Sequence, residues 1–300
     1  MSRLIVSRIC FVLSFIALSA CSSVASTSVV RIESDEISVD KFEQTVQQLA
    51  DAGQLELTNG RASGETTYSL LGALLRGKAT TQLLALYGQS VTEADRTTVL
   101  NQLGEDSLSA DLAPELKDLI VELNSGDLAL RRIAPPTPDE MTKLYADEPA
   151  ELGALCMRHI LVDDESTAKK VLSLLSKGDD FATLAGTYST EPGADISGGI
   201  LGTASSECIA LSEIQGQFDA GFTSGALQAK AGAPYGPVKS SFGWHIILIR
   251  PFAEIADSLQ AILTVDSGHT LLTGYLATAH ITVGSAYGRW DPTTGNIVAN

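Results

Sequence analysis

Two short segments of the chain each place one histidine at the start of an apolar run. Residues 241–250 read SFGWHIILIR, and residues 157–164 read MRHILVDD. An apolar run that opens with a polar residue is typical of a short buried β-strand. If the two strands lie side by side, the imidazole rings of His159 and His245 can meet. They could then hold each other by hydrogen bonds, bind a metal ion or transfer a proton.

The metal site is the weakest of these interpretations. Zinc sites need three or four ligands at characteristic spacings, and the two histidines have no third ligand at such a spacing in the sequence. We therefore expect neither a metal ion nor another cofactor.

The composition is that of a globular, acidic protein. Of 300 residues, 44% are hydrophobic and 19% are charged, which suffices for about two domains of ordinary size. Lys and Arg number 20 against 36 Asp and Glu, so the formal net charge is −16. Because binding to phosphates requires a basic surface stripe, which this sequence lacks, we expect no nucleic-acid partner.

The N-terminus has the pattern of an export signal. Two arginines precede an apolar stretch over residues 9–18, which is too short to span a membrane and is typical of a signal peptide. The signal, residues 1–20, ends in Leu-Ser-Ala before Cys21, which resembles the bacterial lipobox, so Cys21 is the predicted lipidation site. An ordinary signal peptide with an incidental cysteine is the alternative. The Ser- and Thr-rich residues 21–30 are predicted to be a flexible tether.

Two of the four cysteines remain after export. Cys10 leaves with the signal peptide, and Cys21 carries the lipid. Cys156 and Cys208 are then an even pair in an oxidising compartment. They could form a disulfide bond, or each could be a separate buried thiol.

Residues 31–148 have the apolar periodicity of a mostly helical domain. A first helix can begin after Ser38 as its cap, and two apolar stripes at helical spacing lie over residues 71–79 and 116–123. These stripes are most simply a hydrophobic core. The Pro-Pro pair at 135–136 interrupts the chain, and a short helix follows it.

Beyond residue 152 the pattern changes to a small α+β unit. The HILV strand is followed by two amphipathic helices, a Gly-rich passage, a further helix and the HIILI strand. Residues 152–253 are therefore predicted to be a second domain, with a small mixed or antiparallel sheet flanked by helices. Residues 254–300 still have apolar stripes that need a partner, and we expect them to pack on the helical domain and not on the α+β unit.

Four motifs in the α+β unit resemble a known enzyme family. They are RHILV at 158–162, GDDFATLAGTYST at 178–190, GGILG at 198–202 and GPVKSSFGWHIILI at 236–249. In this order they resemble the parvulin-type peptidyl-prolyl cis/trans isomerases. An unrelated α+β domain would need all four motifs by coincidence. The resemblance implies the parvulin fold and an isomerase activity without a cofactor.

The resemblance also assigns catalytic residues. In parvulins, two strand-borne histidines lie in the centre of the sheet beneath the substrate proline, hydrogen-bonded to each other and to hydroxyls. Here these are His159 and His245. Ser240 stands where the family usually has threonine, so the hydroxyl is kept. The family's Cys-or-Asp position falls near Glu191, with Asp195 as the alternative acid if the alignment of this loop shifts.

The same resemblance places a pocket for the proline ring. The predicted substrate-binding residues are Leu201, Ile214, Gln215, Phe218 and Phe242. Ile214 stands where the family often has methionine, and Gln215 could meet the substrate backbone. Leu201 and Phe218 could instead belong simply to the core.

Recognition of a phosphate before the proline is not expected. Parvulins that require a phosphorylated residue use a basic loop after the first strand. Here residues 163–167 read DDEST, which is acidic and short. This loop would repel a phosphate group.

The order of the segments resembles the extracytoplasmic parvulin foldases, in which N- and C-terminal parts form a chaperone body beside the isomerase. We therefore predict an isomerase, anchored by lipid at the outer face of the cell membrane, that accelerates folding of newly exported polypeptides with X-Pro bonds. The alternative is a membrane-tethered holdase with a weak or silent parvulin domain, for which the departure at Glu191 is the reason.

Overall fold

The computed structural model describes residues 27–107, 112–202 and 206–300. The predicted signal peptide, the lipidation site Cys21 and the first part of the tether lie outside these residues. Among the helices that are described, none is both long enough and apolar enough to cross a membrane.

Five helices form the first part of the structure, and local sequence signals explain where they begin. They are α1 (Val39–Asp51), α2 (Gly64–Leu86), α3 (Glu93–Ser107), α4 (Pro114–Leu130) and α5 (Pro138–Asp147). The Ser38 hydroxyl caps α1 by accepting a hydrogen bond from Lys41 N at 3.2 Å. Thr137 and Glu140 form a capping box at the start of α5. The stripe predicted over residues 71–79 is the buried face of α2.

A strand replaces the end of the predicted tether. β1 (Ser28–Ile32) pairs antiparallel with β2 (Asp35–Ser38), and both Val29 and Val30 are buried. The prediction of a flexible segment is therefore wrong for residues 28–30. β-branched valines favour an extended backbone, and here their burial outweighs the flexible character of the neighbouring Ser and Thr residues.

The second part of the structure contains the sheet that carries both histidine strands. Its antiparallel strands are β4 (Met157–Val162), β5 (Ile200–Leu201), β7 (Pro234–Lys239) and β8 (Trp244–Ile249), in the order β5-β4-β8-β7, and β3 (Ala154–Leu155) pairs separately with β6 (Ile209–Ala210). The flanking helices are α6 (Glu165–Leu175), α7 (Phe181–Tyr188), α8 (Ala194–Ser197), α9 (Leu211–Gln217) and α10 (Ala220–Gln228). One face of the sheet packs Ile160 and Ile246 against α6 and α7. The predicted α+β class and the two histidine strands are confirmed.

The C-terminal segment folds back onto the helical part. It contains α11 (Phe252–Val265), α12 (Ser267–Thr278), β9 (Ile281–Val283), β10 (Arg289–Asp291) and β11 (Asn296–Val298). β9 pairs with β1, and α12 packs against α2 and α4. The approach to α4 is so close that a Cβ atom at Gly268 would overlap the carbonyl oxygen of Leu130. Both ends of the chain therefore build this part of the structure.

The same segment also contacts the α+β unit, contrary to the expectation from the sequence. α12 lies against α9, and the Gln215 side chain in α9 donates a hydrogen bond from Nε2 to the Pro292 carbonyl oxygen at 2.8 Å. The C-terminal segment therefore packs against both the helical part and the α+β unit, because its apolar stripes contact both.

His269 links the C-terminal segment to the helical part through two carboxylates. Its Nδ1 lies 2.8 Å from Asp266, and its Nε2 lies 2.7 Å from Asp127 in α4. Burial lowers the pKa of His269, but the hydrogen bonds and charges of Asp266 and Asp127 outweigh burial, so the pKa is raised overall. Arg131 competes for Asp127 at 3.5 Å. The protonated imidazole thus connects α12 to α4.

We expect His269→Gln to destabilise the protein mainly at acidic pH. The folded chain holds the proton more tightly than the unfolded chain, whose pKa is near 6.5, so the stabilisation is complete below that pH. It is lost as the pH rises through the raised pKa. Melting temperatures of wild type and variant at about pH 5.5 and pH 8.5 measure this, with the exposed His280→Gln as the control. An equal difference at both pH values would show that the imidazole charge does not hold the helices together.

Candidate functional site

One face of the central sheet carries both histidines. His159 in β4 lies opposite Ile247, two residues beyond His245 in β8, so the imidazoles are diagonal neighbours on the same face. Their Nδ1 atoms lie 3.4 Å apart, and the ring planes differ by 16°. Both side chains are buried. The strand pairing therefore brings together the two residues that the sequence singled out.

Ser240 extends the histidine pair into a chain of hydrogen bonds. Its Oγ lies 2.7 Å from His245 Nε2 and accepts a hydrogen bond from Phe242 N at 3.1 Å. If the Ser240 hydroxyl donates to Nε2, His245 carries its proton on Nδ1 and donates it to His159 Nδ1. His159 then carries its proton on Nε2, which has no hydrogen-bond partner among the described residues. The chain thus orients one free N–H.

One phenyl ring lies against both histidines, and a second ring stacks on the first. The Phe222 ring centroid is 5.0 Å from that of His245 and 5.7 Å from that of His159, edge to face in both cases. Phe218, the predicted pocket residue, stacks on Phe222 at 5.6 Å. The sequence analysis missed Phe222. The available signal was its position four residues after Phe218, on the other side of Asp219, which caps α10.

Asp219 fixes the loop that carries Ser240, a second role that the sequence analysis missed. Its carboxylate caps α10 by accepting from Gly221 N at 2.7 Å. Its other oxygen accepts from Ser241 N at 3.1 Å and from Ser241 Oγ at 2.7 Å. The hydrogen bond from the Ser241 side chain is the largest cause that holds the Asp219 pKa below its usual range. One ionised carboxylate thereby ties the phenyl rings to the β7–β8 loop.

Burial keeps both imidazoles neutral. The pKa of His245 is lowered to about 4. Burial is the largest cause, His159 and Lys239 act in the same direction, and Asp219 opposes them. Burial also lowers the pKa of His159, against the opposing negative charge of Glu191. At neutral pH the two rings therefore act as hydrogen-bonding groups and not as cations.

We expect peptide isomerisation by this site to stay constant from about pH 7.5 to pH 5 and to fall as the pH approaches about 4, where His245 is protonated. The folded chain resists this proton, so acidification from 6.5 toward about 4 also lowers stability. A pH profile of kcat/KM, with the melting temperature at each pH, separates protonation from unfolding. A midpoint near pH 6.5, the value of a free imidazole, would contradict the buried neutral pair.

Glu191 lies on a loop that is attached to the histidine strand. Thr190 N donates to Leu161 O at 2.8 Å, and Leu161 N donates to Ser189 Oγ at 3.2 Å. The Glu191 side chain is exposed, and its charge acts on the pKa of His159. Asp195, the alternative acid, lies in α8. Of the two acids, Glu191 is the one whose charge acts on His159, and its role as the acid of the site stays a prediction.

Two of the predicted substrate contacts lie elsewhere in the structure. Ile214 has no exposed surface and belongs to the core, so its side chain does not line an open pocket. Gln215 uses its amide on Pro292 O and faces the C-terminal segment. Both assignments are corrected for the same reason: α9 is packed on two sides.

The remaining predicted contacts stay close to the histidine face. Leu201 lies in β5 beside Met157 and is half-buried, while Phe242 is 72% exposed at the tip of the β7–β8 loop. The structure therefore brings together His159, His245, Ser240, Phe218 and Phe222 as one cluster, with Leu201 and Phe242 at its margins. Substrate contact by these residues stays a prediction.

Cys156 and Cys208 are joined in the structure. They form a disulfide bond, one of the two alternatives that the sequence left open. Arg250, at the end of β8, is buried and donates to Glu207 at 2.6 Å. The disulfide and this ion pair hold residues 206–208 against the ends of both histidine strands.

Comparison with known proteins agrees with the arrangement of the α+β unit. Residues 141–251 match the family model described as a PPIC-type PPIase domain. The foldase protein PrsA of Clostridium kluyveri is 34% identical over 137 residues, which are 43% of this chain and 37% of that protein. PrsA of Geobacillus kaustophilus is 29% identical over 261 residues, 83% of this chain and 81% of that protein. The chain thus spans well under half of the first of these relatives.

Solved structures of similar proteins were also found. The crystal structure of PrsA from Bacillus subtilis covers 83% of this chain and 90% of its own, with a TM-score of 0.30 and 22% identity. PrsA from Bacillus cereus matches with a TM-score of 0.28 and 23% identity. Because these structural matches are weak, the similarity of residues 141–251 to the PPIC-type domain rests on the sequence match and on the histidine site. Residues 141–251 thus match a PPIC-type PPIase domain and lie beside a flanking part that both ends of the chain build.

Proposed function

We propose that the protein is a peptidyl-prolyl cis/trans isomerase that accelerates the folding of exported polypeptides. One observation carries the proposal: the segment that matches the PPIC-type PPIase model contains the buried, neutral histidine pair against the ring of Phe222, on which Phe218 stacks. The relatives that bear the name foldase support a polypeptide as substrate.

The reaction requires no covalent step. Rotation about an amide bond has a barrier of about 18–20 kcal/mol, because resonance keeps the bond planar. Twisting the X-Pro bond ends this resonance, and the proline nitrogen regains its lone pair. A site that grips the ring against Phe218 and bonds only to the twisted amide lowers the barrier, and each tenfold in rate needs about 1.4 kcal/mol.

The residues divide into two roles in this proposal. The free Nε2–H of His159 can donate to the proline nitrogen of the twisted amide, while Ser240 and His245 hold that ring in place. Glu191 disfavours negative charge on the carbonyl oxygen, and therefore weakens the planar resonance form relative to the twisted one. Phe218 and Leu201 form the apolar walls.

The loop after β4 supports a substrate without phosphate. Asp164 caps α6, and its hydrogen bonds to the Ser166 hydroxyl and to Thr167 hold its pKa at about 2. The loop is therefore anionic at every physiological pH and would repel a phosphorylated residue.

The place of action in this proposal is the outer face of the cell membrane, with Cys21 lipidated. The Leu-Ser-Ala-Cys sequence at the end of the apolar stretch supports it. We expect cells fed a labelled fatty acid to label the wild-type protein, and Cys21→Ser to lose both the label and the membrane association. A Cys21→Ser protein that is still labelled would contradict the anchor.

A holdase with a weak isomerase domain is the second candidate. It is favoured by a cavity of about 500 Å³ between α1, α2 and α4, whose apolar walls include Leu74, Val91 and Leu119. The separating experiment is kcat/KM on an Ala-Pro peptide for wild type, Glu191→Gln and Asp195→Asn. The isomerase proposal expects Glu191→Gln to be roughly tenfold slower, with Asp195→Asn unchanged. A wild type no faster than the uncatalysed reaction would support the holdase.

A further inference from the structure

A second cavity, whose lining includes neither histidine of the pair, lies where the end of α2, α5 and α12 meet the 3-10 turn Pro149–Leu152. Its volume is about 500 Å³. The apolar part of its wall consists of Leu83, Leu86, Pro136, Leu144 and Leu271, and the polar part consists of Tyr87, Glu140, Lys143, Glu151 and Tyr275. The proposed isomerase reaction does not use this cavity.

The charges of two carboxylates act on the Tyr87 hydroxyl. The pKa of Tyr87 is raised to about 12, mainly by burial and then by the charges of Glu151 and Glu140. On the opposite wall, Tyr275 donates its hydroxyl proton to Gln82 at 2.8 Å, and burial and nearby acids, Glu151 among them, raise its pKa. The cavity therefore combines two tyrosine rings with a negative potential.

Glu151 is the carboxylate of this cavity that lacks a hydrogen-bonding or cationic partner among the described residues. Burial raises its pKa, and the neighbouring charges of Glu148 and Asp147 raise it further. Among the described residues, its side chain has neither a hydrogen bond nor an ion pair. Binding of a cation to a partly buried carboxylate without a partner is therefore favourable.

The other charged groups that line the cavity do not pair with Glu151. Glu140 is already engaged, because its carboxylate accepts from Thr137 N at 2.8 Å and from Thr137 Oγ at 2.7 Å. Lys143 acts on the pKa of Glu140 and is exposed, and it forms no ion pair among the described residues. The cavity thus offers one open anionic position.

We propose that this cavity binds a lysine or arginine side chain of an unfolded polypeptide, with the cationic head on Glu151 and the aliphatic stem and neighbouring apolar residues on the leucine wall. Charge complementarity selects the cation, and the faces of Tyr87 and Tyr275 suit it by cation–π attraction. Leu86 is 70% exposed at the rim. A free polyamine would leave this apolar rim unused, whereas a basic segment with apolar neighbours would cover it.

The test uses three fluorescent, proline-free peptides that alternate leucine with arginine, with citrulline or with glutamate. Citrulline keeps the shape of arginine without its charge. We expect the full-length chain to bind the arginine peptide best, and Glu151→Gln to weaken it roughly tenfold. Leu86→Asn, at an exposed position where the fold tolerates change, should weaken binding of the arginine and citrulline peptides equally. Glu56→Gln, a carboxylate in the loop before the other end of α2, should leave binding unchanged.

Isomerase activity on a short Ala-Pro peptide is measured on the same samples. It should not change in Glu151→Gln, so failure of this proposal and failure of the isomerase proposal are distinguishable. Equal binding of the arginine and citrulline peptides would overturn the proposal. So would a Glu151→Gln chain that binds as well as wild type, or a polyamine that displaces the peptide at equal concentration.

Discussion

A His245→Ala protein will isomerise an Ala-Pro peptide about a hundredfold more slowly than wild type and will melt at a lower temperature. His245 is the centre of the site: it contacts Ser240 at 2.7 Å, His159 at 3.4 Å and the ring of Phe222. Its removal leaves buried polar groups without partners, at about 1–3 kcal/mol each. The rate falls because the His159 ring loses the neighbour that orients its free N–H.

Measurement of kcat/KM beside the melting temperature checks this result. His280→Ala, an exposed histidine before β9, is the matched control and should change neither quantity. A His245→Ala chain that stays folded and fully active would remove the histidine pair from the proposed mechanism.

The disulfide has the second largest expected effect, on stability. Cys156 and Cys208 are 52 residues apart in sequence, and a cross-link that closes a loop of this length stabilises the folded state by about 4 kcal/mol in the chain-entropy model. We expect the double variant Cys156→Ala and Cys208→Ala to lose stability of this order. Urea unfolding of wild type and variant measures it.

Chemical reduction supplies the control for the disulfide. Reduced wild type should unfold at nearly the same urea concentration as the double variant, since both lack the cross-link. If the reduced and oxidised proteins unfold at the same urea concentration, the disulfide bond does not contribute to the free energy of unfolding. The ion pair of Arg250 with Glu207 then suffices to hold residues 206–208.

The sequence predicted those features that depend on neighbouring residues. The HILV and HIILI runs form strands, as expected from a polar residue followed by a continuous apolar run, a pattern typical of a strand in a buried sheet. Their pairing brings the two histidines together, so this part of the site followed from the strands. Ser240 was assigned by the resemblance to the parvulins, and its hydroxyl lies 2.7 Å from His245 Nε2.

Other features depend on segments that are distant in the chain. Gln215 is engaged with Pro292, 77 residues further on, and no local pattern indicates this contact. Ile214 is buried for the same reason, since α9 has the core on one side and the C-terminal segment on the other. Residues 28–30 form a strand because β9 supplies a partner from the other end of the chain. Tertiary pairing thus overrode the flexible composition of the tether.

The measurement that tests the central claim most directly is exchange between the cis and trans forms of an Ala-Pro peptide, followed by NMR with catalytic amounts of the full-length protein. We expect wild type to accelerate the exchange at neutral pH, and His245→Ala to accelerate it about a hundredfold less. The contradicting result is a wild-type protein that leaves the exchange rate at its uncatalysed value while it still prevents an unfolded client from aggregating. The protein would then bind polypeptides without isomerising X-Pro bonds.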